Sequence, residues 1–589
     1  MNPWTSPERL PPEIELLVRR WNLPDARIAD VRKLLTLTAD GATAAPLDPA
    51  APRAASAWGA ACQLIPANRT REPRPPSPLI IRDQRNQPHL QSWRFFKAEE
   101  SIAVEVIDRA SRAAPPLKSS ASELLAALGA DQLKPEQARA ITCALDHPLA
   151  LIVGGPGTGK THTLARLLAL LITGAPNDVP VIHLAAPTGK AADRMREAVE
   201  AAADQLPASL PEKTKGLLKK IATAAGTLHG LLGFNPATGQ CRQRLERKLR
   251  SDVVIIDECS MVDTLLWQAL FAALEPGTRL VLVGDPHQLE SVAAGDVLGA
   301  LTRFAQNVTA NPLRRVLIEL TESQRFRDRR GIGELAAAMV KFQAEEALAL
   351  LAAHPTPRDG TGPGDGLAWL GDHEGRFSWE RLPSPVQAAL IAVADAPTPG
   401  EALARLARVR VLTAHREHAL GAAGLNEAIQ RFLTSRRTVR RAPNQPIIIN
   451  RNDPETSLSN GSVGIIMEFA GSRTAFFPAP SPDAPLRAVS LGQLPEYSKA
   501  WALTIHRSQG SEFNQVVVIL PREDSPLATR ELLYTAITRA RHDVYVWGAA
   551  TTIKAALTEK TGRCTLLEAS LATAAGLPPG APPPPHSAP

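Results

Sequence analysis

An α/β protein built on two parallel sheets is what the sequence predicts, and three observations predict it. Short, continuously apolar runs alternate with helical patterns mid-chain: LALIVGG (149–155), VIHLAAP (181–187), DVVIIDE (252–258) and RLVLVGD (279–285). Strands apolar on both faces and separated by helices belong in a parallel sheet covered on both sides. A second set, RVRVLTA (408–414), QVVVILP (515–521) and DVYVWG (543–548), repeats the pattern and calls for a second α/β layer. Finally, GGPGTGKT (154–161) lies between the first strand and an amphipathic run, the setting in which a glycine-rich loop binds phosphate.

Between the two sets, 440–496 reads differently. PIIINRND, GSVGIIMEF and RTAFFPAP are short strands separated by Gly, Asn, Asp and Pro turns, which predicts a small β-barrel insertion. Ala/Pro/Arg-rich stretches within 40–80, the loop AHPTPRDGTGPGDG (353–366) and the end from Gly576 break the pattern, and the end reads as a disordered tail.

Composition narrows the function classes. The 589 residues suggest about four domains at roughly 150 residues each. A net charge of +7 permits a polyanionic partner without demanding one. The five cysteines, Cys62, Cys143, Cys241, Cys259 and Cys564, form no CxxC pair, which argues against a disulfide scaffold or zinc ribbon. The first twenty residues hold no signal-peptide core. Leu164 to Ala175 is too short to span a bilayer and carries Arg166. A cytoplasmic protein with no membrane partner is expected.

In the loop Gly154, Gly155, Pro156, Gly157, Thr158, Gly159, Lys160, Thr161, the glycines let backbone N–H groups close round phosphates at a helix N-terminus. Lys160 would neutralise the β/γ charge and Thr161 would ligate Mg²⁺. Asp257 and Glu258 end another buried strand, as a metal-binding acid and a water-activating base would. Gln288, after the next strand, can reach a γ-phosphate. Gln137 in KPEQARAI either reads an adenine edge or is a solvated helix glutamine. Cys259 reads as a packed small residue. Arg325 and Arg539 are either cations supplied across a cleft or ordinary surface arginines.

Ten segments in order then carry a family resemblance. They are the glutamine at 137, GGPGTGKT (154–161), APTGKAADRM (186–195), TLHGLLG (227–233), DECSM (257–261), GDPHQLESVAAGDVL (284–298), QRFRDRRGIGELA (324–336), NRNDPETSLSNGSVG (450–464), ALTIHRSQGSEF (502–513) and YTAITRAR (534–541). Over roughly 120–550 the chain resembles superfamily 1 helicases, most closely the RecD family, the alpha subunit of exonuclease V.

The resemblance implies two RecA-like motor domains with the β-barrel insertion and a small helical N-terminal domain. The expected partition is a partner-docking domain over 1–118, a first motor domain over 119–314 with a hairpin near 234–250, and a second over 315–439 and 497–570. The barrel takes 440–496 and the tail 571–589. The implied roles are adenine reading by Gln137, ATP phosphate and Mg²⁺ binding by Lys160, Thr161 and Asp257, water activation by Glu258, γ-phosphate sensing by Gln288, and arginine fingers at Arg325 and Arg539. Single-strand contacts map to Pro187, Thr188, Lys190, Thr504, His506, Ser508 and Gln509.

The implied activity is ATP-dependent 5′→3′ DNA unwinding in double-strand break repair and recombination. It would act at DNA ends, in a heterotrimer with RecB-like and RecC-like subunits and with cutting left to a partner. A stand-alone helicase and a DNA clamp that does not unwind are the alternatives. Gly230, Glu290 and Gln324 depart from the family pattern, away from the phosphate chemistry. The basic runs CRQRLERKLR (241–250) and SRRTVRR (435–441) suit phosphate contacts or a solvated face. Trp93, Phe95 and Phe96 concentrate aromatics, which are enriched at interface centres. Removal of 1–115 is therefore expected to abolish assembly and leave the motor active.

Overall fold

The computed structural model describes residues 25–48, 62–65, 79–84, 87–129, 133–175, 179–207, 210–235, 240–242, 247–356, 362–436, 442–469, 471–479, 485–522, 525, 527–558 and 563–577. The N-terminal segment 8–23, the centre of the basic run at 241–250, most of SRRTVRR and the end beyond 577 lie outside them.

The first sheet has six parallel strands in the order Leu317–Leu320, Leu149–Gly154, Arg279–Gly284, Val253–Ile256, Ile182–Ala186, Gly226–Thr227. Its strands are apolar on both faces because helices cover both. Helix Lys160–Gly174 shows the consequence: Leu164, Ala165, Leu167, Leu168, Ala169 and Leu170 are all fully buried, so its apolar character runs round the whole cylinder. Among the described residues, no helix is long and apolar enough to cross a membrane.

The second sheet has five parallel strands in the order Leu367–Gly371, Ala540–Trp547, Phe513–Ile519, Val409–Thr413, Ala502–Thr504. The insertion is a five-stranded antiparallel sheet, Arg487–Ser490, Ser472–Phe477, Val463–Phe469, Gln445–Ile449, Tyr497–Lys499. Its order is open, with the first and last strands at separate edges, so among the described residues the expected barrel does not close. The expected hairpin is present at its base, where Phe234–Asn235 pairs with Gln240–Cys241.

Four boundaries move. Strand Leu317–Leu320 pairs with Leu149–Gly154, so the first motor sheet runs past 314 and the linker to the second begins after Leu320. The N-terminal region is not purely helical: Ala44–Pro46, Gln87–Ser92, Leu79–Gln84 and Cys62–Ile65 form a four-stranded mixed sheet, part of it from the Ala/Pro-rich stretch. Small side chains permit this, since Ala44 and Ala45 are fully buried and the amides of Thr43 and Ala44 donate to the Cys564 carbonyl.

Helix Trp93–Ser111, expected in a separate N-terminal domain, belongs to the first motor core through Ile102, Ala103, Val106, Ile107 and Ala110. Arg109 ties it there, donating to the carbonyls of Thr278 at 2.8 Å and Glu275 at 2.9 Å. Phe96 is buried beside Ile80 with Trp93 packed on it at 5.5 Å, so two of the three aromatics close the region's own core. Lastly, the expected tail begins as helix: Leu567–Ala574 buries Leu567 and Leu571 against the same core. The buried Glu99 carboxylate binds this end in place, accepting from Thr565 Oγ1 at 2.8 Å, the Leu566 amide at 3.3 Å and Gln91 Nε2 at 2.9 Å.

Removing residues 1–115 therefore strips a core helix from the motor rather than a detachable module. Exposing the pocket left by Ile102, Val106 and Ile107 costs roughly 5–9 kcal/mol, comparable to the net stability of a domain. The truncated chain is expected to lose its cooperative thermal transition. A sharp transition with full ATPase activity would show the helix to be dispensable.

Candidate active site

The glycine-rich loop leaves strand Leu149–Gly154 and enters helix Lys160–Gly174 through two left-handed glycines, Gly157 at φ +76° and Gly159 at φ +89°. A side chain is excluded at both by contact as well as by φ. A Cβ on Gly157 would lie 2.4 Å from Arg325 Cβ, and one on Gly159 would lie 2.5 Å from Gln137 Nε2. Lys160 Nζ donates to the carbonyls of Gly154 at 2.6 Å and Gly155 at 2.9 Å, and Thr158 Oγ1 donates to Gly155 O at 2.8 Å. Pro156 is buried and Thr161 follows Lys160 half-buried in the first helical turn. Gln137 is buried, with its Oε1 accepting from the Lys134 amide at 3.2 Å. It therefore stands over the loop and is not a solvated helix residue.

Asp257 and Glu258 follow strand Val253–Ile256, beside the loop. Desolvation and the adjacent Glu258 push the Asp257 carboxyl up to about 6, against the pull of its own bond from the Glu258 amide at 2.8 Å and of Lys160. Glu258 holds φ +53°, a left-handed conformation that costs a non-glycine residue of order 1 kcal/mol or more and gathers at functional sites. Cys259 is fully buried with its thiol pushed well up by burial and by Asp257, which suits packing and not nucleophilic attack. Among the described residues no group of three His, Cys, Asp or Glu could hold a metal by itself. One acid and one hydroxyl beside a phosphate loop fit a Mg²⁺ ion that takes its remaining ligands from phosphate and water.

Gln288 is buried and donates from Nε2 to Asp285 Oδ2 at 3.1 Å. Asp285, fully buried, also accepts from Tyr534 OH at 3.1 Å, and Tyr534 belongs to the second domain. Two more bonds cross here: the Leu289 amide to Thr535 Oγ1 at 2.8 Å, and Gln509 Nε2 to the Leu289 carbonyl at 3.0 Å. The segment carrying Gln288 is thus held from both domains.

Both arginines reach this cleft. Arg325 sits on the linker, where the Gln324 amide donates to Gly157 O at 2.9 Å and Ser323 Oγ to Pro156 O at 2.8 Å. Burial together with Arg194, Arg539 and Arg541 pushes the Arg325 guanidinium down to about 9. Arg539 is buried, bonded to the carbonyls of Thr535 at 3.1 Å and Ser511 at 3.3 Å, and feels the charges of Glu258 and Asp285. Neither is an ordinary surface arginine.

The residues mapped to a single strand differ in exposure. Thr188 caps helix Gly189–Ala203, with Pro187 half-buried before it, and Thr504 caps Ile505–Ser508. Lys190 stands among cations: burial, Arg410, Arg194 and Arg539 push it down to about 8. His506 is half-buried and pushed down by desolvation and Arg563. Ser508 is fully buried on Ile505 O at 2.7 Å, and Gln509 is committed to Leu289. These last two face the protein interior in this arrangement.

Sequence reasoning missed Glu512, Arg194, Tyr534 and Glu136. Glu512 carried only the signal of an acid before a buried apolar strand, at the opposite end from the one that marks Asp257. Glu136 was not: it matters because Thr321, 185 residues away, donates to it through its amide at 2.8 Å and its hydroxyl at 2.6 Å. Of the departures from the family pattern, Glu290 pairs with Arg563 at 2.8 Å. Burial and Asp296 push it up to about 8, Arg563 offsetting this only in part. Its unfolded value is 4.5, so the folded chain holds the proton more tightly and stability falls as pH rises from 4.5 through about 8. Glu290→Gln should flatten that fall in melting temperature. An unchanged slope by calorimetry would show that Glu290 is not its source.

A phosphate loop on one parallel sheet, with arginines from a linker and a second sheet closing over it, is the construction of a helicase motor. The profile of the AAA domain matches residues 137–294, and that of the UvrD-like helicase C-terminal domain matches 499–547. The chain belongs to the RecD family. It is 39% identical over 459 residues to the RecBCD enzyme subunit RecD of Mycolicibacterium smegmatis, a match covering 74% of each chain. The RecBCD enzyme subunit RecD of Haemophilus influenzae is 32% identical over 471 residues, 73% of this chain and 72% of that one. The ATP-dependent RecD2 DNA helicase of Deinococcus radiodurans is 30% identical over 445 residues, 74% of this chain and 52% of its own. The chain is an ATP-dependent DNA helicase.

Proposed function

We propose that this helicase translocates 5′→3′ as the alpha subunit of a RecBCD-type helicase–nuclease, opening DNA ends for break repair and recombination. The observation that carries the motor assignment is the convergence of Lys160, Asp257, Glu258, Arg325 and Arg539 on one interdomain cleft. Gln137 reads the adenine edge, and the loop from Gly154 to Thr161 holds the phosphates. Thr161 and Asp257 hold Mg²⁺, which supplies charge neutralisation on the phosphates when bound. Glu258 orients and deprotonates water, Gln288 reports the γ-phosphate through Asp285 and Tyr534, and the two arginines stabilise developing charge. Pro187, Thr188, Lys190, Thr504 and His506 line the strand's path, and Ser508 and Gln509 support it from beneath.

The cleft's composition supports reading ATP closure as the power step: its hydrogen bonds cross between domains, so a ligand on the loop acts on both. Unwinding of 5′-tailed against 3′-tailed duplexes tests polarity. Preference for the 3′ tail would overturn it. A tagged full-length chain is expected to co-purify stoichiometrically with RecB-like and RecC-like chains, and isolation as a fully active single chain would overturn the assembly reading.

Glu258→Gln should separate binding from turnover, because only the base is lost. Nucleotide affinity is expected to stay within about threefold while kcat falls by on the order of 10² or more. Loss of nucleotide binding in this variant would instead place Glu258 among the metal ligands.

A further inference from the structure

The linker joining the two motor sheets is fastened at its start to the nucleotide site. Thr321 is held by Glu136, Ser323 by Pro156 and Gln324 by Gly157. Arg325, one residue on, reaches into the second domain, with Nη2 donating to Glu512 Oε1 at 2.5 Å and Nη1 to Thr538 O at 3.4 Å. The Glu512 side chain is only 7% exposed. Its carboxylate also receives Arg541 Nε at 2.9 Å and the guanidinium of Arg194, which comes from the first domain's helix Gly189–Ala203.

Three arginines from three elements thus meet on one anion. Arg539 and Lys190 add further positive charge close by. Like charges gathered in a desolvated cleft repel strongly, so their arrangement depends on the carboxylate that binds them together. A charged acceptor with two oxygens also fixes direction, since guanidinium–carboxylate bonds are short and oriented.

We propose that Glu512 is a positioning residue for ATP hydrolysis: its carboxylate sets Arg325 in the cleft and, through Arg194, couples that arginine to the first domain. Glu512 acts through the arginine and is not itself a contact to the nucleotide. This rests on the reading of Arg325 as the cation that serves turnover.

The test is a double-mutant cycle in the full chain, using Glu512→Gln and Arg325→Ala, with kcat and KM for ATP measured at saturating single-stranded DNA. Glu512→Gln is expected to lower kcat by about tenfold or more with KM held within about threefold. In the Arg325→Ala background the same change should cost less than about threefold, because the group it positions is already gone. Full additivity of the two losses would overturn the proposal. So would a tenfold rise in KM at unchanged kcat, which would make Glu512 a nucleotide contact. Undiminished kcat in Arg325→Ala alone would overturn the underlying reading of Arg325 and is distinguishable from both. If Glu512→Gln does not fold, Glu512→Asp, which keeps the charge and shortens its reach, enters the same cycle with the same criteria.

Discussion

Lys160→Gln is expected to abolish ATP hydrolysis while the protein stays folded. The lysine is half-buried at the mouth of the loop, and its bonds are to the loop's own carbonyls at Gly154 and Gly155. It packs no core, so its removal costs stability only through those two bonds, one of which the Gln amide can keep. Its loss to chemistry is much larger. The ammonium is the one point charge on the loop, and removing a preorganised charge from a transition state typically costs 10²–10³ or more in rate. DNA-stimulated phosphate release checks the first half and thermal unfolding the second. Unaltered turnover would mean that the nucleotide binds elsewhere.

Arg325→Ala and Arg539→Ala are each expected to lower kcat by on the order of 10³, with nucleotide affinity much less affected. The two should differ in stability. Arg325 is largely enclosed on the linker, with a side chain 17% exposed, and its loss leaves Glu512 still paired with Arg194 and Arg541. Arg539 is fully enclosed, and truncation leaves the Ser511 carbonyl without its donor, while Thr535 O keeps only the Thr538 hydroxyl at 3.2 Å. It should therefore lower the melting temperature as well, by a cost of about 1–3 kcal/mol for a buried group left unpaired. Arg539→Lys, which restores charge without the fork, separates the two effects. A loss of less than about threefold in kcat for either Ala variant would remove that arginine from the site.

What proved legible in the chain was whatever depends on contiguous residues. The loop from Gly154 to Thr161 works through its own backbone, and Asp257 and Glu258 take their place from the strand directly before them. Both parallel sheets could be read because a strand buried on both faces writes its burial into every residue. The open insertion sheet and the mixed N-terminal sheet were harder. Closure of a barrel depends on edge pairing, and three-residue strands such as Ala44–Pro46 carry no pattern of their own.

The chemistry of the nucleotide site and the class of motor were therefore written in contiguous residues, since phosphate binding is a local backbone property joined to a few fixed side chains. Where the motor ends and what aims its arginines came from contacts that folding makes between distant segments. Helix Trp93–Ser111 enters the first core by packing on helix Thr264–Ala273 and on helix Leu567–Ala574, the latter more than 450 residues later. Arg325 takes its direction from Glu512, 187 residues away. Such pairings rest on charge and shape brought together by folding, and distance along the chain holds no trace of them.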